Sequence, residues 1–148
     1  MKVCAVTGHR ILGKEMTADA AEKAIVELIR GGADTFYVGM ALGFDLLCAE
    51  VLCDMKEFYS LKLVACIPCE DQSDRYPLRE KKRYERLLRS FDEKIVLHAA
   101  YCDGCMFERN RLMVDGCDVL LAYLRKKSGG TYYTVRYAEK KGKKIVYL

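Results

Sequence analysis

The chain has 148 residues, of which 51% are hydrophobic and 31% charged, and its formal net charge is +4. These values fit one globular domain over residues 1–148. Basic and acidic residues are interleaved, so the charge neither requires nor excludes nucleic acid. The longest apolar run, Val119 to Leu124, is too short to cross a membrane.

The N-terminal residues show no signal-peptide pattern, because the apolar residues after Met1 run directly into Gly8. We therefore expect a cytoplasmic protein. Its eight cysteines are then expected to be thiols and not a disulfide framework.

Apolar runs rich in β-branched and aromatic residues predict six strands, at residues 2–7, 35–38, 61–67, 95–97, 119–123 and 144–148. Pro68 is expected to close the third strand. Segments with apolar residues at helical spacing lie between the strands. This alternation indicates an α/β fold: a doubly wound, mostly parallel sheet with helices on both faces.

The helix boundaries follow from capping residues. Thr17 or Asp19 caps the first helix, and Gly31–Gly32 end it. The second helix follows a glycine turn at residues 39–43, and the third follows Pro77. Asp103 is expected to cap a fourth helix over about residues 106–115, and the turn at 128–131 opens a fifth.

The turn Gly39-Met-Ala-Leu-Gly-Phe-Asp45 joins a strand to a helix. Gly39 allows a sharp bend, and Gly43 has no side chain to screen the free amides of the first helical turn. Those amides and the helix dipole favour an anion such as phosphate. A purely steric reason for the two glycines stays open.

In a doubly wound sheet, ligands bind beyond the carboxyl ends of the strands, so the turns after five strands should share one edge. Their glycines, amides, histidine and arginines suit a small phosphorylated or nucleotide-like ligand. The predicted ligand-binding residues are Gly8, His9, Arg10, Gly39, Met40, Gly43, Asp45, Pro68, Gln72, Arg109, Asn110, Ser128, Gly129, Gly130 and Thr131.

Asp45 and Arg109 are the candidate catalytic residues. Asp45 either complements the dipole of the second helix or accepts a hydrogen bond from a ribose hydroxyl. Arg109 lies on a methionine-rich helix face, so it either pairs with Asp115 or Asp118 or contacts a ligand anion.

The two histidines have weaker roles at this stage. His9 is either an exposed turn residue or a proton-transfer group, and His98 is expected to be structural.

Two Cys-x-x-Cys pairs, Cys66/Cys69 and Cys102/Cys105, fall at predicted strand ends. They could form a four-thiolate zinc site if they met. The first pair begins inside a strand, where a cysteine usually packs as a small hydrophobe. We therefore expect no bound metal and no cofactor, and whether the pairs meet stays open.

The order of these motifs resembles that of the YpsA-like proteins of the SLOG superfamily, which also holds the DprA DNA-processing proteins and the LOG phosphoribohydrolases. The resemblance covers nearly the whole chain. It rests on Thr7-Gly-His-Arg10, on the turn at 39–45, on residues 67–72, on Met106 with Arg109-Asn110, and on Gly129-Gly-Thr131. It implies a Rossmann-like domain that binds a nucleotide or nucleotide-derived ligand.

The resemblance to LOG enzymes is incomplete. Their Pro-Gly-Gly-x-Gly-Thr-x-x-Glu motif is shortened here to Gly129-Gly-Thr131, and Thr134 stands where the catalytic glutamate would fall. Arg109-Asn110 resembles their upstream Arg-Lys pair. The ligand-binding part of the motif is thus present, whereas the acid needed for N-glycosidic hydrolysis is missing.

We therefore predict a nucleotide-ligand binding or sensing protein. A second hypothesis is a nucleoside monophosphate hydrolase in which Glu139, Asp45 or His9 replaces the glutamate. DprA-like DNA binding ranks last, because basic and acidic residues are interleaved along the chain. We therefore do not expect nucleic acid as a partner. No membrane association is expected, and the sequence is compatible with a homo-oligomer.

Overall fold

The computed structural model describes residues 1–148 as alternating strands and helices. The strands are β1 (Val3–Gly8), β2 (Thr35–Val38), β3 (Lys62–Cys69), β4 (Glu93–His98), β5 (Val119–Tyr123) and β6 (Lys144–Tyr147). The helices are α1 (Ala18–Arg30), α2 (Phe44–Met55), α3 (Leu78–Leu88), α4 (Cys105–Asp115) and α5 (Gly129–Lys140). No helix is long and apolar enough to cross a membrane.

The six strands form one sheet in the order β4-β3-β2-β1-β5-β6, and every neighbouring pair is parallel. The chain builds outward from β1 to β4 and then returns to place β5 on the other side of β1. The loops after β1 and β5 therefore diverge at a topological switch point, where doubly wound folds bind ligands. The predicted Rossmann-like α/β fold is confirmed.

Side chains of β1 alternate between two hydrophobic cores. Cys4 and Val6 face the larger core, which includes buried residues of α1, α2 and α3. Val3 and Ala5 face the smaller core, which includes buried residues of α4 and α5. Helices thus cover both faces of the sheet and leave its carboxyl edge for loops.

Two predicted boundaries are corrected. β3 continues through Pro68 to Cys69, which pairs with His98 of β4, because the fixed φ of proline fits extended backbone. Asp103 does not cap α4. Gly104 is the N-cap instead, in the left-handed region at φ +81°, a conformation that glycine adopts without strain.

Gly43 is required by packing within the protein. Its φ is +84°, and a Cβ atom here would collide with the backbone carbonyl of Arg10. The first amide of α2, that of Phe44, donates to the carbonyl of His9 at 3.1 Å. The glycine therefore lets the loop after β1 cross the start of α2.

We predict that Gly43→Ala lowers the free energy of unfolding by more than about 3 kcal/mol, because left-handed strain adds to a backbone clash. Gly129→Ala is the matched control: its φ is +86°, but a Cβ there meets nothing within 4 Å. The control should lose only the stability that the left-handed strain costs, roughly 1–2 kcal/mol. Urea unfolding measures both values, and equal losses would show that the Arg10 contact is unimportant.

Candidate functional site

A cleft of about 840 Å³ opens at the switch point between β1 and β5. Its walls are the loop after β1, the first turns of α2 and α4, and the loop that leads from β5 into α5. Ten of the predicted ligand-binding residues line it: Gly8, His9, Arg10, Asp45, Arg109, Asn110, Ser128, Gly129, Gly130 and Thr131.

The other five predicted residues, Gly39, Met40, Gly43, Pro68 and Gln72, do not line the cleft. Met40 is fully buried in the larger core, and Pro68 is buried within β3. Gly39, Met40 and Gly43 belong to the turn after β2, whereas Pro68 and Gln72 belong to β3 and the segment that follows it.

Gln72 holds that turn in place. Its Nε2 donates to the carbonyl of Gly39 at 2.9 Å, and its Oε1 accepts from the hydroxyl of Tyr84 at 3.0 Å. The Tyr76 hydroxyl donates to the carbonyl of Met40 at 3.0 Å. Gln72 is thus a buried support for the turn, outside the cleft lining.

Arg109 is buried beneath the cleft, with 4% of its surface exposed. Its Nη1 donates to the carbonyls of Gly39 and Cys66, and its Nε donates to Oδ1 of Asn110 at 2.8 Å. The guanidinium therefore joins α4 to the residue after β2 and to the interior of β3. Neither carboxylate proposed as its partner contacts it, since Asp115 accepts from Tyr137 and Asp118 accepts from the amide of Val3.

One nitrogen of Arg109 remains free. Nη2 makes no hydrogen bond within the protein. Every fully buried side-chain nitrogen or oxygen of the chain does have a hydrogen-bond partner, so Nη2 is not fully buried. Nη2 is therefore reached from the cleft, which Arg109 lines. It can donate to an anion or a carbonyl there.

Asp45 lies beside Arg109 and is 6% exposed. Its Oδ2 accepts from the amide of Ala41 at 3.2 Å, and Oδ1 has no protein partner and faces the cleft by the same reasoning. Desolvation raises the pKa of Asp45 to about 6, while the positive charge of Arg109 opposes the rise. Asp45 can thus accept a hydrogen bond from a ligand hydroxyl when ionised.

Gly39 makes room for these two side chains. A Cβ atom at this position would lie 2.7 Å from Nη1 of Arg109 and 2.9 Å from Oδ2 of Asp45. The glycine is therefore required by the buried pair, and it contributes to the cleft only indirectly.

Three helices point their N-termini into the cleft. The N-caps of α2, α4 and α5 are Gly43, Gly104 and Ser128, and none of them makes a side-chain capping hydrogen bond. The first turns of all three helices contribute cleft-lining residues. The helix dipoles at these ends favour a negative ligand group. The first amides of α2 and α4 already donate to the carbonyls of His9 and Cys102.

The α5 end is open to the cleft. A Cβ at Gly129 or Gly130 would meet no atom within 4 Å. Arg10, Arg125 and Lys126 also line this part of the cleft and are exposed. The absence of side chains leaves the amides of 129–131 accessible to an anion.

His9 has a structural role. Its Nε2 accepts from the amide of Arg125 at 2.8 Å, and its ring meets Tyr123 edge-on at 5.9 Å. Desolvation and the charges of Lys126 and Arg125 lower its pKa. The neutral ring thus ties the loop after β1 to the loop after β5. His98 is also structural, with Nε2 2.9 Å from Glu108.

Sequence reasoning missed the residues that hold the loop after β1. The Tyr123 hydroxyl accepts from the amide of Gly13 at 2.9 Å and donates to Glu15 at 3.0 Å. The guanidinium of Arg125 lies 4.5 Å from the centre of the Tyr123 ring. The position of Tyr123 at the end of the predicted strand was the available signal.

An aromatic rim lies on the α4 side of the cleft, and it was also missed. Tyr101 is 61% exposed and Phe107 42% exposed, and both line the opening with Met106. Phe107 packs against Tyr133 with ring centres 4.5 Å apart. These flat, exposed rings can stack on a base.

The two cysteine pairs meet only in part. The thiol of Cys105 lies near the thiols of Cys69 and Cys102, whereas Cys66 faces the smaller core. All eight cysteines are free, and no group of three or more His, Cys, Asp or Glu side chains is arranged to hold a metal.

Fold and cleft together define a Rossmann-like domain with a cleft at its switch point, lined by more basic than acidic side chains. The family model described as the YspA SLOG family matches residues 13–148, so the chain belongs to this family. A UPF0398 protein of Bacillus pumilus is 31% identical to this chain over an alignment of 153 positions. The alignment covers 94% of this chain and 82% of the relative.

Two solved structures share the fold. DNA processing protein A (DprA) of Streptococcus pneumoniae has a TM-score of 0.74 and 20% identity, over 99% of this chain and 50% of that one. DprA of Helicobacter pylori has a TM-score of 0.71 and 20% identity, over 99% of this chain and 64% of that one. This chain thus spans about half the length of the Streptococcus protein.

We predict that the stability of the wild type falls, relative to Asp45→Asn, as the pH rises from 4 to 7. The pKa of Asp45 is about 6 in the folded protein, above the ordinary 3.8, so folding favours the protonated form. The stability gained from protonated Asp45 is fully present below the ordinary pKa and is lost as the pH rises through about 6. The loss amounts to at most about 3 kcal/mol of the free energy of unfolding. Urea unfolding of both proteins at several pH values measures it. A difference that does not change with pH would contradict the burial of this carboxyl.

Proposed function

We propose that the cleft binds a nucleotide or nucleotide-derived ligand and that the protein acts as a sensor or regulatory protein. One observation carries this proposal. Asp45 and Arg109 are both more than nine-tenths buried, and each keeps a free polar atom directed into a cleft beside three helix N-termini. These two atoms offer a ligand in the cleft one hydrogen-bond donor and one acceptor.

Each part of a nucleotide has a complementary group in the cleft. A phosphate suits the open amides of 129–131 and the neighbouring cationic side chains. A ribose hydroxyl suits Oδ1 of Asp45, which would repel a phosphate. A base suits the exposed rings of Tyr101 and Phe107.

A binding role is favoured over hydrolysis by the position of Thr134. Its hydroxyl donates to the carbonyl of Gly130 at 2.8 Å, and the residue is 3% exposed and outside the cleft lining. No carboxylate therefore lies at the position that the LOG motif assigns to its catalytic acid. Asp45 is the carboxylate at the cleft floor that could replace it.

A second candidate function is the binding of single-stranded DNA. DprA of Helicobacter pylori, which shares the fold, has a single-stranded DNA binding mode. In this chain, Arg10, Arg125, Lys126 and Lys127 are exposed at or next to the cleft that the aromatic rim also lines. Cations that follow a backbone and rings that stack on bases are the usual elements of such sites. This neighbour does not support the expectation that nucleic acid is no partner.

We predict that Gly130→Val weakens the binding of AMP, or of whichever nucleoside mono- or diphosphate binds best, at least about tenfold, which corresponds to about 1.4 kcal/mol. The φ of Gly130 is not positive and the space beside it is empty, so the variant should fold. Calorimetry measures the affinity.

Lys140→Val is the matched control, since it places the same side chain on an exposed position of α5. Labelled oligothymidylate provides the competing probe. The proposal fails if no nucleotide binds, or if folded Gly130→Val binds as well as the control. Tight oligothymidylate binding that nucleotides do not displace would favour the second function.

We predict that release of adenine from AMP by the wild type is weak or absent. Cleavage of the N-glycosidic bond builds positive charge on the ribose, and acid–base assistance by a carboxylate contributes roughly 10²–10⁴-fold. Chromatography of free base measures the reaction, with Asp45→Asn as the comparison. Brisk release that Asp45→Asn abolishes would establish hydrolysis and assign the acid to Asp45.

A further inference from the structure

A tight turn at the cleft mouth brings two cysteines together. The amide of Cys105 donates to the carbonyl of Cys102 at 3.2 Å, and Gly104 between them has a φ of +81°. The first and last Cα atoms of such a turn lie within about 7 Å of each other. A disulfide requires a Cα separation of about 4.4–6.8 Å, so the backbone needs little movement.

The two thiols are neighbours and differ in exposure. Cys102 is exposed, whereas Cys105 is 2% exposed as the first residue of α4. An exposed thiol can react with a solute, and a buried thiol next to it can then displace that solute.

The remaining cysteines nearby are less suitable. Cys66 and Cys69 are three residues apart in β3, which separates their Cα atoms by about 10 Å, too far for a disulfide. Cys69 also interacts with Cys105, but it is 2% exposed. Burial and the neighbouring Asp71 carboxylate raise the pKa of Cys69 to about 12, so it stays protonated.

We propose that Cys102 and Cys105 form a reversible dithiol–disulfide pair, oxidised by exchange with a low-molecular-weight disulfide such as oxidised glutathione. The Cys102 thiolate attacks one sulfur of that disulfide, which breaks its S–S bond and releases one thiol. The Cys105 thiolate then attacks the Cys102 sulfur and releases the second thiol. The protein loses two protons and two electrons, and the small disulfide gains them.

The proposed exchange between Cys102 and Cys105 does not require a ligand in the cleft. The pair lies at the rim of the cleft, because Tyr101, Gly104 and Met106 line the opening. Partial desolvation and the Cys105 thiol raise the pKa of Cys102, and the carboxylates of Glu108 and Asp103 face it as well. The exchange should therefore be slow at neutral pH and accelerate as the pH rises.

The test equilibrates the full chain in glutathione buffers of increasing oxidised fraction, alkylates the free thiols and digests with trypsin. Cys102 and Cys105 fall in one peptide, residues 95–109, and Cys69 falls in another, residues 63–75. We expect peptide 95–109 to lose both alkylation sites together, and reduction to restore them. Retention of both sites in the most oxidised buffer, or a cross-link between the two peptides, would overturn the proposal.

Cys105→Ala removes the resolving thiol, so Cys102 should retain one glutathionyl group that the wild type releases. Cys53→Ser is the control, since Cys53 is a half-buried cysteine on α2 and its loss should leave the exchange unchanged. Circular dichroism checks that both variants fold. A Cys105→Ala protein that is folded and unmodified would exclude Cys102 as the thiol that reacts first.

Discussion

The buried guanidinium of Arg109 is the interaction on which the rest of the site depends. It donates to the carbonyls of Gly39 and Cys66, which stand at or near the ends of two adjacent strands. Buried charge-assisted hydrogen bonds of this kind are strong, so one side chain of α4 fixes that helix relative to the sheet edge. The same fixation leaves Nη2 at the cleft floor beside Asp45.

This arrangement explains glycines that a sequence motif presents as ligand contacts. Gly39 makes room for Arg109 and Asp45, Gly43 for the backbone of Arg10, and Gly8 for the ring of Phe44. Only Gly129 and Gly130 of these glycines face open space. A glycine-rich strand-to-helix turn can therefore serve the assembly of the cleft walls as well as the approach of a ligand.

Membership of the YspA SLOG family and the DprA-like fold agree with a shared architecture of this kind but leave the ligand open. The cleft combines positive helix ends with a carboxylate at its floor, so a purely anionic ligand would not satisfy it. A ligand that carries both a phosphate and hydroxyl groups would satisfy both, and this is the reason for proposing a nucleotide.

The sequence by itself determined the order of strands and helices, the parallel sheet and the loops that form the cleft, because hydrophobic periodicity and capping residues act over short distances. It also identified ten cleft residues. It did not distinguish them from Gln72 or Met40, which the turn after β2 buries.

The remaining features of the site depend on side-chain packing or backbone geometry at single positions. They are the partners of Arg109, the neutral His9 bridge to Arg125 and the Cys102–Cys105 contact. Only the tertiary structure decided them, since these contacts depend on positions in space that no local pattern specifies.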